Sequence, residues 1–138
     1  MKLKRKEHAF TLLEIMLVVS IIAVLMSVAI YKLKGNLEIG KQVAVQADVR
    51  AIGTQLKLYE TMNGFMPTTE QGLQALVTQP VTEPRPARWT QFFDSAPKDP
   101  WHNDYIYLNP GRKNPNGYDL YSAGPDRKAD TVDDDWGQ

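Results

Sequence analysis

The chain has 138 residues, and its sixteen basic and sixteen acidic residues give a formal net charge of zero. This length allows one small domain beside an apolar segment. The first nine residues carry four basic side chains and one acidic one, whereas residues 36–138 carry ten basic and fourteen acidic ones. An acidic second part argues against nucleic acid as a partner, because duplex binding needs a cationic surface. Without cysteine, the chain has no disulfide, no zinc site built on cysteine and no thiol nucleophile.

Residues 10–31 form an apolar segment. Between Ile15 and Tyr31 no residue is charged, and only two serines are polar. As a helix, the segment of about 22 residues is about 33 Å long, which is enough to cross the hydrocarbon core of a bilayer. The basic residues before it predict that residues 1–9 stay in the cytoplasm and that the rest of the chain lies outside. We expect no cleavage after the segment, because it runs directly into an amphipathic helix.

Glu14 distinguishes this segment from a plain signal anchor, which is the alternative interpretation. A carboxylate inside an apolar stretch costs up to about 2.5–3.5 kcal/mol, so such a group usually has a partner. Cleavage between Ala9 and Phe10 would create a free α-amine near Glu14. Amine and carboxylate could then neutralise each other between neighbouring packed helices.

The run Ala-Phe-Thr-Leu-Leu-Glu at residues 9–14 resembles the class III signal of type IV pilins and pseudopilins. The resemblance implies that prepilin peptidase cuts before Phe10, that the new amine is methylated, and that Glu14 acts in filament assembly. This family normally has Gly where the chain has Ala9. Its members commonly have Pro near the position of Tyr31, where it kinks or melts the helix.

The helix is predicted to continue beyond the apolar segment, over residues 10–61. Its first half is hydrophobic all round and its second half is amphipathic. Asn63 and Gly64 are typical of a helix C-terminus. We expect the core of the second half to be the apolar stripe spaced 4, 3, 4, 3, which consists of Val45, Val49, Ile52, Leu56 and Tyr59.

A short second helix is predicted from Thr69 to about Val77, because Thr68 and Gln71 have the spacing of a capping box. Five prolines between residues 80 and 100 leave little room for regular structure after it. Three aromatic residues in that stretch are expected to anchor it to the core: Trp89, Phe92 and Phe93.

Two strands are predicted at residues 105–108 and 118–122, joined by a loop rich in Gly and Asn. They should pair as an antiparallel sheet, with room for a short third strand near Trp136. The predicted fold class is therefore α+β.

Two longer blocks, residues 63–73 and 98–107, are similar to the major pseudopilins of type II secretion systems. With them the resemblance covers essentially the whole chain. It implies a pilin-like fold with one long N-terminal helix, a short helix or two, and a small antiparallel sheet of two to three strands. It also implies a metal-binding loop at the C-terminus. This family usually has Gly at the position of His102 and often Pro at that of Asp104.

Five carboxylates crowd the ten residues from 126 to 135. Like charges at this density indicate either a solvated acidic tail or a segment organised around a cation. The spacing does not match an EF-hand loop, although carboxylate oxygens suit Ca²⁺.

The resemblance favours the cation. Residues 122–126, followed by an acidic pair, are similar to the calcium loop of major pseudopilins. This implies Ca²⁺ held by the side chains of Asp126, Asp133 and Asp134 and by the backbone carbonyl of Ala123. The ion would fold the C-terminal loop onto the strands.

Three function classes are compatible with these features, and the resemblance favours a structural one. It implies a basic leader at residues 1–9, a transmembrane and filament-core helix at residues 10–31, and a periplasmic globular domain at residues 32–138. Copies of the chain would start as single-pass proteins of the inner membrane. They would then assemble with minor pseudopilins into a periplasmic pseudopilus that drives protein export across the outer membrane. Prepilin peptidase and an inner-membrane assembly platform are the other implied partners.

The alternative is a type IV or competence-type pilin of a surface fibre, which the acidic domain and the two blocks count against. The third class is a membrane-anchored enzyme. His102 is the sole histidine outside the N-terminal segment, and neither a nucleophile elbow nor a histidine metal motif is present. We therefore expect no enzymatic activity.

Overall fold

A computed structural model describes residues 10–137, except for the side chains of residues 34 and 36. The predicted leader, with Ala9 at the expected cleavage site, lies outside the described residues. Two compact units are present, Met1–Ile39 and Gly40–Gln138. The secondary structure, in chain order, is helix α1 at Leu12–Asn63, a 3₁₀ helix at Leu73–Leu76, strand β1 at Ile106–Leu108 and strand β2 at Asp119–Tyr121.

Helix α1 begins and ends close to the predicted residues. In the first unit it passes Tyr31 without a break, because no proline interrupts its hydrogen bonds. It ends at Asn63, as the Asn-Gly pair predicts. Gly64 has a φ of 81°, and its amide donates to the carbonyl of Glu60 at 2.7 Å. This left-handed conformation is the usual reason for glycine after a helix.

The core of the second unit contains the predicted stripe of α1. Four of the five stripe residues are buried, and Val49 is partly buried. They pack against the 3₁₀ helix and the sheet, which contribute Leu73, Ala75, Leu76, Tyr105, Tyr107 and Leu120. Burial of these side chains is the main stabilising term for the unit, at roughly 1.5–3 kcal/mol for each large apolar one.

The two strands pair antiparallel, as predicted, with Tyr107 opposite Leu120. The expected third strand is reduced to one bridge. Ser122 and Asp135 exchange two backbone hydrogen bonds of 2.9 Å, which tie the C-terminal segment to the end of β2.

The predicted short helix is a 3₁₀ turn and not an α-helix. Its capping box is formed, since Thr68 and Gln71 each accept a 3.2 Å hydrogen bond on the side chain from the other's amide. However, Gly72 has φ 55° and ψ −161°, which is not helical. The chain therefore turns before it starts the helix at Leu73.

The proline-rich stretch is attached to the core by its aromatic residues, as expected. The indole of Trp89 donates to the carbonyl of Ala75 at 2.8 Å. The amides of Phe92 and Phe93 both donate to the carbonyl of Leu76, at 2.9 and 3.1 Å. These bonds replace regular secondary structure where proline prevents it.

Candidate functional site

Residues 10–33 of the first unit present a largely apolar surface. Every residue from Phe10 to Leu33 is exposed, and α1 is long and apolar enough to cross a membrane. The hydroxyls of Ser20 and Ser27 donate to the carbonyls of Met16 and Val24 within the helix, both at 2.7 Å. Since these polar groups are satisfied locally, the segment suits a hydrocarbon environment or an interface with other helices.

Glu14 lies in the first turn of α1, four residues after the exposed ring of Phe10. Its amide donates to the hydroxyl of Thr11 at 3.2 Å, so Thr11 caps the helix. Thr11 was not among the predicted site residues, although Thr-x-x-Glu is a capping-box spacing. A carboxylate at this end gains about 0.3–1 kcal/mol from the helix dipole, which is less than the 2.5–3.5 kcal/mol upper figure for its insertion. The helix dipole therefore offsets only part of the cost of placing the Glu14 carboxylate in a bilayer, and a charged partner remains favourable.

The C-terminal loop, residues 122–134, brings two of the predicted calcium ligands together. The carboxylate of Asp133 accepts a 3.3 Å hydrogen bond from the amide of Asp126. A Cβ atom at Gly124 would lie only 2.5 Å from the carbonyl oxygen of Asp133, so the two ends of the loop touch at a glycine. Ala123, the predicted backbone ligand, is buried next to this contact.

Asp134 provides the test of whether these residues fit a cation. Its Oδ2 accepts a 2.9 Å hydrogen bond from the amide of Asp130, but its Oδ1 is buried and has no hydrogen-bond partner. A buried acceptor without a partner costs about 1–3 kcal/mol, and more when it is charged. A Ca²⁺ ion at this oxygen would remove this cost, so the unpaired oxygen of Asp134 fits a cation ligand.

Asp133 is held in the form that a metal ligand needs. The hydroxyl of Thr131 donates to its carboxylate at 2.7 Å and, as the largest cause, holds the pKa of Asp133 below its usual range. Only the ionised form binds a cation strongly. Within residues 10–137, no three acidic or histidine side chains form a ready metal-binding group, so the calcium ligand set stays a prediction.

The carboxylate of Asp130 contacts a different part of the second unit. It forms a 2.9 Å ion pair with Arg112 of the loop between the strands. In the same loop, Lys113 lies 3.5 Å from the ring centre of Trp136, which stacks on Tyr121. These contacts attach the C-terminal segment to the loop between the strands.

Asp99 was not among the predicted site residues, yet it is 2 % exposed. One carboxylate oxygen accepts from the amides of Trp101 and Asn103, at 3.0 and 2.7 Å, and the other accepts from the hydroxyl of Ser122 at 2.6 Å. Asp before Pro in a turn is a signal for side-chain bonds to the local backbone. The bond to Ser122, by contrast, depends on the tertiary fold.

Comparison with known families identifies the chain. The family described as "Type II secretion system (T2SS), protein G" matches residues 32–136, which is most of the chain. The chain belongs to this family. A second family, the "Prokaryotic N-terminal methylation motif", matches residues 4–30, the part that contains the predicted processing signal.

Relatives of the chain are similar over nearly its whole length. Type II secretion system core protein G of Escherichia coli K12 is 41% identical over 141 residues, covering 99% of this chain and 96% of the relative. The core protein G of Vibrio cholerae is 44% identical over 127 residues, covering 91% and 86%. Similarity at this coverage extends the assignment from the globular part to the whole chain.

A solved structure supports the predicted fold. The major pseudopilin from the type 2 secretion system of enterohaemorrhagic Escherichia coli superposes with a TM-score of 0.67 at 39% identity, covering 74% of this chain and 90% of that one. The pilin-like fold is thereby confirmed. The chain is a pseudopilus subunit of a type II secretion system, and the surface-pilin alternative is disfavoured.

Proposed function

We propose that this pseudopilin works as a processed, non-catalytic building block. Prepilin peptidase removes residues 1–9, and the mature chain waits in the inner membrane with its globular domain in the periplasm. An inner-membrane assembly platform then moves it into a pseudopilus, built from copies of itself and minor pseudopilins. Growth of this filament drives protein export across the outer membrane.

The exposed apolar surface from Phe10 to Leu33 carries this proposal. A bilayer and a bundle of neighbouring helices are both apolar, and leucine is about as favourable in one as in the other. Transfer between them therefore loses little burial. The same surface in water would be a large aggregation-prone patch.

Glu14 makes the transfer specific. In the bilayer it is an unpaired carboxylate near the start of α1. In a filament it lies within reach of the free amine of Phe10 on a neighbouring copy, and an ion pair in a low-dielectric core is much stronger than one in water. We infer that this pairing sets the register of the subunits.

A structural role also agrees with the buried carboxylates of the globular part. Asp99 and Asp119 are 2 % and 3 % exposed, and each accepts hydrogen bonds from several backbone amides. Both carboxylates are buried and bonded to the backbone of turns, so they support the fold. We therefore propose no catalytic role for them.

Calcium is the second part of the proposal. Asp126, Asp133, Asp134 and the carbonyl of Ala123 would bind Ca²⁺, supported by the free buried oxygen of Asp134 and the contact between Asp126 and Asp133. The ion would neutralise the acidic loop and fix it against β2.

Mass spectrometry of the chain produced with its prepilin peptidase tests the processing. We expect a mature protein that begins with methylated Phe10. The Glu14→Gln variant, which keeps the size but not the charge, should be processed in the same way yet fail to form filaments in electron micrographs. An intact Met1, or normal filaments from Glu14→Gln, would contradict the proposal.

A further inference from the structure

A buried hydrogen-bond network lies directly behind the C-terminal loop. Asp99 accepts from the hydroxyl of Ser122 at 2.6 Å, and this hydroxyl oxygen accepts from the amide of Gly124 at 3.0 Å. The side-chain amide of Asn103 donates to the carbonyl of Gly124 at 3.1 Å and to Asp99 at 3.3 Å. Ser122 is 0 % exposed, so water does not compete for these bonds.

The network fixes the peptide groups on both sides of Gly124. The amide of Gly124 and the carbonyl of Ala123 belong to one planar peptide group, in which N–H and C=O point in opposite directions. When Ser122 accepts the Gly124 amide, the carbonyl of Ala123 must point away from Ser122. Asn103 fixes the next peptide group in the same way, through the carbonyl of Gly124.

Gly124 is also the point where the loop closes. Its φ is 65°, and the carbonyl oxygen of Asp133 lies 2.5 Å from where its Cβ would be. A residue with a side chain would push Asp133 away. The orientation of Gly124 therefore sets both the direction of the Ala123 carbonyl and the approach of Asp133.

We propose that Asp99, Ser122 and Asn103 are positioning residues for calcium binding by the C-terminal loop. They do not touch the ion. They orient the Ala123 carbonyl and the Gly124 turn before the ion binds, so that less order has to be created on binding. This inference rests on the proposed calcium function, because it assigns the groups that prepare that same site.

The alternative is that the network only stabilises the fold. The two roles differ in calcium affinity. A structural residue lowers the unfolding temperature equally with and without calcium, whereas a positioning residue also weakens calcium binding. Gln71 offers a matched control. It is buried, and its side-chain amide donates to the carbonyls of Thr82 and Pro84, which lie outside the C-terminal loop.

The experiment uses the full-length protein in a nonionic detergent. Calcium affinity is measured by isothermal titration, and the unfolding temperature is measured in EDTA and in saturating Ca²⁺. Asn103→Ala and Ser122→Ala should each weaken calcium binding by about 10-fold or more, the usual effect of losing a group that orients a ligand. Both should also shrink the rise in unfolding temperature that calcium causes. Gln71→Ala should lower the unfolding temperature yet leave the affinity within about twofold, because its contacts lie outside the loop.

Two results would overturn the inference in different ways. If Asn103→Ala and Ser122→Ala unfold at lower temperature but bind Ca²⁺ as the wild type does, the network is structural and the calcium proposal stands. If the wild type neither binds Ca²⁺ nor is stabilised by it, the calcium proposal fails and the positioning role fails with it. Asn103 is only partly buried, so its variant should fold even if Ser122→Ala does not.

Discussion

The two units use the same helix in opposite ways. In the first unit, large apolar residues such as Leu17 are 61 % exposed, whereas Leu56 in the second unit is 0 % exposed. The first half must therefore find its apolar environment in a membrane or in other subunits. The second half finds it in its own chain. One helix thus combines an intermolecular surface with an intramolecular core.

Truncation of one leucine in each half is the strongest test of this comparison. Leu56→Ala should lower the free energy of unfolding of the globular unit by about 2–5 kcal/mol, because it leaves a cavity in the core. Leu17→Ala should change it by less than about 0.5 kcal/mol. Urea unfolding of the detergent-solubilised protein, followed by tryptophan fluorescence, measures both. Equal losses would mean that the two halves do not differ as described.

Calcium should act on the second unit alone. At a free concentration 100 times its dissociation constant, Ca²⁺ should stabilise the globular unit by about 2.7 kcal/mol, while the helix content of the first unit stays constant. Asp134→Asn should lose most of this gain. Asp130→Asn is the control, since it removes only an exposed pair with Arg112. If calorimetric scans of the two variants respond equally to Ca²⁺, Asp134 is not a ligand.

A pair of tyrosines tests the same contrast through pH. Burial, with a 2.8 Å hydrogen bond to Asp48, raises the pKa of Tyr105 well above its usual range. The unfolded chain loses this proton at about pH 10, so the stabilisation is complete below that pH and falls as the pH rises further. Tyr105→Phe should cost about 1.5–3 kcal/mol at pH 7 and reduce the alkaline loss of stability.

Tyr31→Phe is the matched change in the first unit, where the ring is 83 % exposed. It should leave the unfolding curve unchanged at neutral pH. Urea titrations of both variants at neutral and alkaline pH provide the comparison. A similar loss in Tyr31→Phe would show that the hydrogen bond to Asp48 is not the cause.

The smallest expected effect concerns a turn in which the chain departs from its family. His102 has a φ of 67°, so it keeps the left-handed conformation that glycine usually provides at this position. His102→Gly should raise stability by about 0.5–1 kcal/mol, because the strain of a side chain there is relieved. Ala51→Gly, on the exposed face of α1, should lower stability by about 1 kcal/mol. Thermal unfolding that fails to show opposite signs would contradict this account.

Local patterns were enough to predict much of the fold. The helix period and the Asn-Gly pair predicted α1 and its end at Asn63 to within about two residues. The two strand segments on either side of a loop rich in Gly and Asn were predicted with the same accuracy. The capping box of Thr68 was also predicted, but not the 3₁₀ helix after it. Gly72 takes an extended, positive-φ conformation that its neighbours in sequence do not impose.

The candidate site was predicted less completely, since its parts are distant in sequence. Thr11 could have been found from its spacing to Glu14. The bond between Asp99 and Ser122 could not, because it joins residues that are 23 positions apart. Nor could the free buried oxygen of Asp134, which depends on what surrounds it in the folded unit.

The sequence by itself determined the division of this protein into an apolar helix that needs outside partners and an acidic globular part. It could do so because hydrophobicity, charge order and helical period are properties of neighbouring residues. Only the tertiary structure decided which hydrogen bonds orient the backbone of the C-terminal loop. Folding places Asp99, Asn103 and Ser122 around Gly124, and a hydrogen bond exists only where the folded chain brings donor and acceptor within about 3 Å.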